Sequence, residues 1–565
     1  MNSETKTCQN CKTDFTIEPE DFAFYEKMQV PPPTWCPQCR MMRRFIWRNE
    51  HTLFRRKDAR DGKDIFSGIP PQSPVQVYEN SYWWSDAFDA SVYAREYDFS
   101  RPFFEQFREL LYAVPWTAKS ILRMINSDYN DQASDFKNCY LCFNGHANED
   151  CAYTTNASFD KDCFDISMSM NNQLCYDSVT VNKSYNVYFS VDIESSTNIC
   201  LSKNLVGCND CVGCVNLRKK SYNIFNQQYS KEKYLEKLKE LHLDTYSGLE
   251  AVKKTAHDYW LQFPVKFMLG VRNFGSSGDR LFDTKMAEGC YRVSNAENVK
   301  YCQDLYKVKS TDCYDYATWG GASRMYESLT CGEQVDMIRF CFDCWPSSSY
   351  LDYCSQCHSS SNLFGCVGLK KKQYCILNKQ YTKEEYEALV PKIIAHMNEM
   401  PYTDTRGRIY KYGEFFPIEF SPFAYNETLL NDYFPLTESE AVAQGFVWRE
   451  SENRLFETTM DAKDLPGSIH DATDTVLKEN IKCATCAKAY KIIPKEFEFL
   501  KAAGIPLPRT CFQCRLKHRQ AFVNPPVFYK RKCMKANCQN EFETAYAPNS
   551  PEIVYCESCY QQEVL

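Results

Sequence analysis

The sequence predicts a multidomain α+β protein in which small zinc modules at both ends flank a duplicated, β-solenoid-like centre with capping helices. Three observations carry this reading. Two C-x-x-C pairs separated by 24 residues stand near the N-terminus, and the same arrangement recurs near the C-terminus. Between them, cysteines fall at 12-residue intervals, and two central stretches match each other at an offset of 152 residues.

The end modules come first. Cys8 and Cys11 precede Cys36 and Cys39, and Cys483 and Cys486 precede Cys511 and Cys514. A tetrahedral Zn²⁺ is satisfied by four thiolates, which two C-x-x-C knuckles on facing turns supply without strain. The flanks CKTDFTIEPEDFAFYEKMQVPPPTWCPQCRMMRR and CAKAYKIIPKEFEFLKAAGIPLPRTCFQCRLKHR read as one module copied twice. The expected local fold is a treble clef or zinc ribbon, with the second knuckle opening a helix.

Beyond the C-terminal module, Cys533, Cys538, Cys556 and Cys559 form a further four-cysteine set. The corresponding N-terminal places hold Asp58, Asp61, Glu79 and Tyr82, with the same 17-residue gap between the second and third members. This is a degenerate copy that has lost its thiolates. It could hold a harder ion through its carboxylates or form an ordinary solvated loop.

In the centre, Cys139, Cys151, Cys163 and Cys175 are spaced by 12 residues. A fixed short period marks a stacked array, and apparent alternation in CFDISMSM suits strands. A looser run begins at Cys290 and passes through Cys302 and Cys313. The runs end alike, in GCVNLRKKSYNIFNQQYSKEKYLEKLKEL and GCVGLKKKQYCILNKQYTKEEYEALVPKI, each predicting an amphipathic helix that caps its stack.

In stacked coils, cysteine serves as a small buried residue repeated up an inner ladder. The next position is often aromatic, as at Tyr140, Phe164, Tyr176, Tyr188, Tyr291 and Tyr314. Such an outer ladder either packs across coils or offers a stacking platform for bases or sugars. Cys341, Cys344, Cys354 and Cys357 are offset by about one coil and could form a fourth metal site. Cofactor content is therefore expected to be about three zinc ions per chain, with a fourth depending on that set.

These elements divide the chain into an N-terminal zinc module with a degenerate second site (1–96), a helical connector (97–136), a first cysteine-repeat unit with its capping helix (137–270), a second with capping helix and linker (271–475), and a C-terminal double zinc module (476–565).

Composition limits the function classes. The net charge of -7 over 565 residues argues against a surface that wraps nucleic acid as a whole, so any such contact must be local. The start, MNSETKTCQNCK, lacks the apolar core of a secretory signal, and the apolar runs are too short to span a bilayer. The 31 cysteines, arranged in pairs and odd in number, fit reduced or metal-bound thiols in a soluble cytoplasmic protein.

The local basic patch is CPQCRMMRRFIWRNE. On a helix advancing 100° per residue, Arg40, Arg43, Arg44, Trp47 and Arg48 share one side. Arg515, His518, Arg519 and Phe522 occupy matching places in the C-terminal copy. A repeated face of cations and aromatics could clamp a phosphate chain and stack a base; equally, the arginines could pair with acidic residues inside the protein. No P-loop, G-x-S-x-G, H-E-x-x-H or dinucleotide-binding glycine motif is present. A four-thiolate site leaves no open position on the metal for catalysis, so no catalytic residues are expected and the protein is read as a non-enzyme.

Taken together, CPQCRMMRRFIWRNE, the WWSD at 83–86, DFSRPFFEQF at 98–107, the cysteine-paced centre and SPFAYNETLLNDYFPLT at 421–437 resemble a family of uncharacterised zinc-ribbon proteins from uncultured small-genome bacteria. The resemblance covers nearly the whole chain. It implies cysteines where this sequence has Asp58, Asp61, Glu79 and Tyr82, so the chain departs from the family pattern there. It implies no activity. The expected role is a zinc-stabilised binding scaffold contacting RNA or a ribonucleoprotein, with no membrane contact. The alternatives are a protein–protein scaffold using the solenoid face and a thiol- or metal-handling protein.

Overall fold

The computed structural model describes residues 2–306, 308–450 and 456–564. Its centre is two parallel β-stacks. The first runs from Ile121–Leu122 to Ser221–Ile224 and the second from Gly270–Phe274 to Gln373–Ile376. The first therefore begins before residue 137, within the stretch read from sequence as helical connector; the helix there is Phe103–Ala113 alone.

Coil length in the first stack follows the cysteine period. Thr155 pairs with Ser167, Phe164 with Tyr176, Val179 with Val191 and Thr197 with Asn209, each a step of 12 residues. The second stack is less regular. Gly270 pairs with Leu281, Gly278 with Cys290, Ala296 with Ser310 and Ala322 with Val335, so its steps vary from 11 to 14 residues.

Within a coil the period is three, not the two expected of alternating strands. Asn138, Leu141, Asn144, Ala147, Asp150, Tyr153 and Asn156 all have left-handed backbone, with φ between 51° and 59°. Each such residue turns the chain, so a 12-residue coil has four short sides. Among residues with a Cβ, Asn and Asp tolerate this region best, and others there cost roughly 1–2 kcal/mol. The turned N–H groups recover bonds to the preceding coil: Asn138 donates to Ile125 O at 2.9 Å, Asp150 to Lys137 O at 2.9 Å and Tyr153 to Tyr140 O at 3.0 Å.

One residue per side points inward. Its hydrogen-bonding role explains the cysteine count better than compactness alone. Ser202 Oγ donates to Cys200 O at 2.9 Å and accepts from the Cys214 N–H at 3.0 Å. One coil later Cys214 Sγ donates to Val212 O at 3.4 Å and accepts from the Asn226 N–H at 3.4 Å. Serine and cysteine are thus interchangeable fillings that satisfy the next coil's inward N–H. Gly145 takes such a place where a Cβ would meet Ala157 O at 2.2 Å.

Both stacks end in the same way. The last parallel strand turns back on Gln227–Gln228 in one and on Lys379–Gln380 in the other. A helix follows in each case, Lys231–Glu240 capped by Ser230 and Lys383–Glu399 capped by Thr382. These elements coincide at the 152-residue offset read from sequence.

The end modules also share a plan. A hairpin, Glu4–Thr7 with Asp14–Ile17, precedes helices Pro19–Met28 and Pro37–Phe45. At the other end Ile481–Lys482 with Ala489–Tyr490 precedes Pro494–Ala503 and Phe512–Gln520. The modules dock crosswise. The N-terminal one shares a continuous apolar core with the second stack, and the C-terminal one with the first. Among the described residues, no helix is long and apolar enough to cross a membrane.

Candidate metal centres and the basic helices

Three groups of cysteines converge as the spacing predicts: Cys8, Cys11, Cys36 and Cys39; Cys483, Cys486, Cys511 and Cys514; and Cys533, Cys538, Cys556 and Cys559. In each, the four sulfurs lie within 4.8 Å of one another. Sulfurs on a tetrahedral zinc, each at ~2.3 Å, would stand about 3.8 Å apart. Cys11 and Cys36 are separated by 3.7 Å, Cys486 and Cys511 by 3.7 Å, and Cys538 and Cys556 by 3.9 Å. The donor sets therefore fit a tetrahedral ion.

The backbone prepares these sites. The first pair of each end module sits in the hairpin turn. The second opens a helix, with Cys36 and Cys511 as N-caps, where the helix dipole favours thiolate. Backbone amides add to this. Cys36 N donates to Cys8 Sγ at 3.2 Å, Cys511 N to Cys483 Sγ at 3.3 Å and Cys556 N to Cys533 Sγ at 3.3 Å. Side-chain amides from Asn10 to Cys39 and from Asn540 to Cys556 extend the same support.

The solenoid set Cys341, Cys344, Cys354 and Cys357 does not form such a group among the described residues. Its thiols lie in the inner ladder and bond to backbone: Cys341 donates to Arg339 O, Cys344 to Phe342 O, Cys354 to Asp352 O and Cys357 to Ser355 O. Burial pushes the Cys344 and Cys354 thiols well up. Against burial, hydrogen bonds from those neighbours hold Cys341 down to about 6. The offset of one coil is thus the repeat of inward-facing positions rather than a spacing of metal ligands.

The basic face read from the sequence is not a surface. Arg40, Arg43, Arg44 and Arg48 are each at most 2% exposed, and Trp47 is sealed against Phe342 and Phe416. Arg48 lies beyond the helix, which ends at Phe45. Arg40 and Arg44 bind Asp315 at 2.8 Å and 3.2 Å. Arg43 forks onto both oxygens of Glu327 at 2.6 and 2.9 Å, reaches Glu414 at 2.6 Å and lies 4.4 Å over the Trp35 ring. Arg48 pairs with Glu50 at 2.6 Å.

The C-terminal end module has the same arrangement on the other stack. Arg515 Nε donates to Asp165 at 2.8 Å, and Arg519 to Asp165 at 2.9 Å and Asp177 at 3.2 Å. Even the contact to the residue five places before recurs, from Arg40 to Trp35 O and from Arg515 to Thr510 O. His518, in Arg43's place, remains exposed, with Phe522 at 5.2 Å and His257 at 6.3 Å between ring centroids. Burial, with His518 and Lys253 adding positive charge, pushes His257 down to about 4.

A phosphate chain cannot reach buried arginines already matched by carboxylates, so the structure corrects the phosphate-contact reading for Arg40, Arg43, Arg44, Arg48, Arg515 and Arg519, and the base-stacking reading for Trp47. The acidic partners were missed. The four on the solenoids occupy left-handed corners, with Asp165 at φ 53°, Asp177 at 42°, Asp315 at 53° and Glu327 at 39°. The signal for three of them is the recurring cysteine–aromatic–aspartate triplet CFD, CYD and CYD.

The outer aromatic ladder is largely covered by the same docking. Phe164 and Tyr176 are buried beside Phe499, Tyr314 stacks on Phe24 at 3.7 Å, and Tyr291 donates to Asn524 O at 2.6 Å. Tyr140 stays exposed. Where the first stack, both end modules and helix Leu429–Tyr433 meet, a cavity of about 100 Å³ is lined by Glu50, His51, Asn156, Ser167, Asp432 and Gln520. His51 Nε2 faces Asp432 Oδ2 there at 2.8 Å.

Fold and sites together define a β-solenoid protein with three four-cysteine groups able to hold metal ions. No family model and no curated protein matches the chain. Among solved structures, it is matched to a "putative acetyltransferase" from Desulfovibrio desulfuricans G20 at 8% identity, over 52% of this chain and 86% of that one. The TM-score of 0.10 gives that match no weight for fold or activity.

Proposed function

We propose that the protein is a non-enzymatic scaffold in which three structural zinc ions fix treble-clef modules onto two solenoids, leaving the free solenoid face to bind a protein partner. The chain is read as a duplicated module and repeat working in a reducing, cytoplasmic setting. The observation that carries this reading is the crosswise docking: helices Pro37–Phe45 and Phe512–Gln520, which open at the Cys36 and Cys511 knuckles, both spend arginines on carboxylates of a solenoid. The metal thereby organises an internal joint, and coordination by four thiolates leaves it no site for substrate.

The choice of a protein partner rests on charge. On the open face Lys137, Glu149 and Lys161 alternate, with Lys137 and Glu149 2.9 Å apart. A mixed, internally compensated surface suits a protein, whereas a polyanion is drawn to unpaired cations. The test combines metal analysis with binding. Three zinc ions per chain and cross-links from a co-purified protein to Lys137, Lys161 and Lys183 are expected. Tight RNA binding that falls steeply with salt would overturn the protein-partner assignment in favour of RNA, and iron or a larger metal load would favour metal handling.

A further inference from the structure

The N-terminal counterpart of the Cys533 group keeps the backbone of a metal knuckle without its sulfurs. Hairpin Phe54–Lys57 with Asp64–Ser67, then helix Asn80–Trp84, match hairpin Tyr529–Lys532 with Glu541–Thr544 and helix Glu557–Val564. The hydrogen bonds match as well. Cys533 N donates to Asn540 O at 2.9 Å and Asp58 N to Lys63 O at 2.8 Å; Met534 N donates to Val554 O at 3.0 Å and Ala59 N to Val77 O at 2.9 Å. The amide that supports a thiolate in one supports a carboxylate in the other: Cys556 N reaches Cys533 Sγ at 3.3 Å, and Glu79 N reaches Asp58 Oδ2 at 3.2 Å.

The four side chains do not form an open cage for an ion. Asp58 is buried, and its second oxygen accepts from Arg60 N at 2.8 Å. Glu79 caps the short helix by accepting from Ser81 N at 2.8 Å. Asp61 accepts from the Arg60 guanidinium at 2.7 Å and from Lys63 N at 3.1 Å. The Arg60 guanidinium lies 4.3 Å over the Tyr82 ring. Three of the ligand positions are thus joined through one residue of the knuckle itself. A planar guanidinium is suited to this, since it can fork onto a carboxylate and stack on an aromatic ring together, while zinc favours thiolate and imidazole donors that this set lacks.

We infer that Arg60 is the resident cation of this lobe. Its guanidinium bridges Asp61 and Tyr82 where the C-terminal copy carries a metal, so the lobe spanning residues 54–84 closes without an ion. This rests on the reading of the Cys533 group as a zinc site. It makes the two ends of the protein unequal toward metal loss.

The test is hydrogen exchange on the full chain with and without a zinc chelator, read beside zinc content. On chelation, exchange in 529–564 should rise at least tenfold while 54–84 stays within twofold of its starting rate. In zinc-replete protein, Arg60→Ala should raise exchange across 54–84 at unchanged zinc content, and Arg60→Lys, which keeps the charge but not the plane, should fall between. Equal loss of protection at both lobes on chelation, or protection of 54–84 by added zinc or calcium, would overturn the inference. If Arg60→Ala does not fold, the wild-type chelation result and Arg60→Lys still decide it. No zinc in the protein and no response in 529–564 would instead overturn the scaffold's zinc reading, a distinguishable outcome.

Discussion

Arg40 of the first end module donates its Nε to Asp315 of the second solenoid at 2.8 Å, with both side chains at most 1% exposed. The pair joins residues 275 positions apart and sets the strongest expectation for mutagenesis. Breaking a buried ion pair on one side strands the other charge, which costs about 3–5 kcal/mol. Asp315→Ala should destabilise the N-terminal joint by that order, and Asp165→Ala the C-terminal one. Denaturant unfolding followed by tryptophan fluorescence should show the Asp315→Ala loss, because Trp35 and Trp47 are buried in that joint; an unchanged midpoint would refute it.

Removing one thiolate tests the metal centres individually. Cys486→Ser should lower the zinc content by about one per chain and loosen Phe512–Gln520 from the first stack, as seen by limited proteolysis. Cys354→Ser should leave zinc unchanged, since that thiol donates to Asp352 O in the inner ladder. A zinc loss in Cys354→Ser would return the solenoid set to consideration.

The inward-facing positions predict a rule for substitution. Ser202→Cys should be tolerated, because Cys214 already performs the same task one coil on. Ser202→Val removes the acceptor of the buried Cys214 N–H and should cost about 1–3 kcal/mol. Thermal unfolding of the two variants should separate them in that order.

The His51–Asp432 pair predicts a pH dependence. Burial works against protonation of His51, but the Asp432 carboxylate at 2.8 Å outweighs it, and the folded pKa is raised. Stabilisation from this pair is therefore complete below the unfolded value near ~6.5 and is lost as pH rises through the raised folded value. His51→Gln should flatten the stability profile above about pH 6.5 relative to wild type. Parallel profiles of the two proteins would refute the assignment.

Much of the architecture was legible because it is periodic. Cysteine spacing brought out the three four-cysteine groups that converge in the fold and could hold a metal ion, and the 12-residue beat of Cys139 to Cys175 is the coil length itself. The side of the arginines was misjudged for a definite reason. Helical periodicity puts Arg40, Arg43 and Arg44 together but does not say what lies opposite, and their partners Asp315, Glu327 and Glu414 are hundreds of residues away. The triplet period was hidden because left-handed corners accept Leu141, Ala147 and Tyr153 as well as Asn and Asp, so no single residue type marks them.

The exchange of docking partners has a consequence for the chain as a covalent object. A single cut between helices Lys231–Glu240 and Tyr246–Trp260 would leave two polypeptides, each owning one end module and the solenoid that fits the other's module. Alone, each half would leave the buried charges of its end module and of its solenoid's docking corners unpaired, and together the halves would pair them across the two joints. The two crosswise joints therefore tie the halves of the chain to each other independently of the peptide link between them.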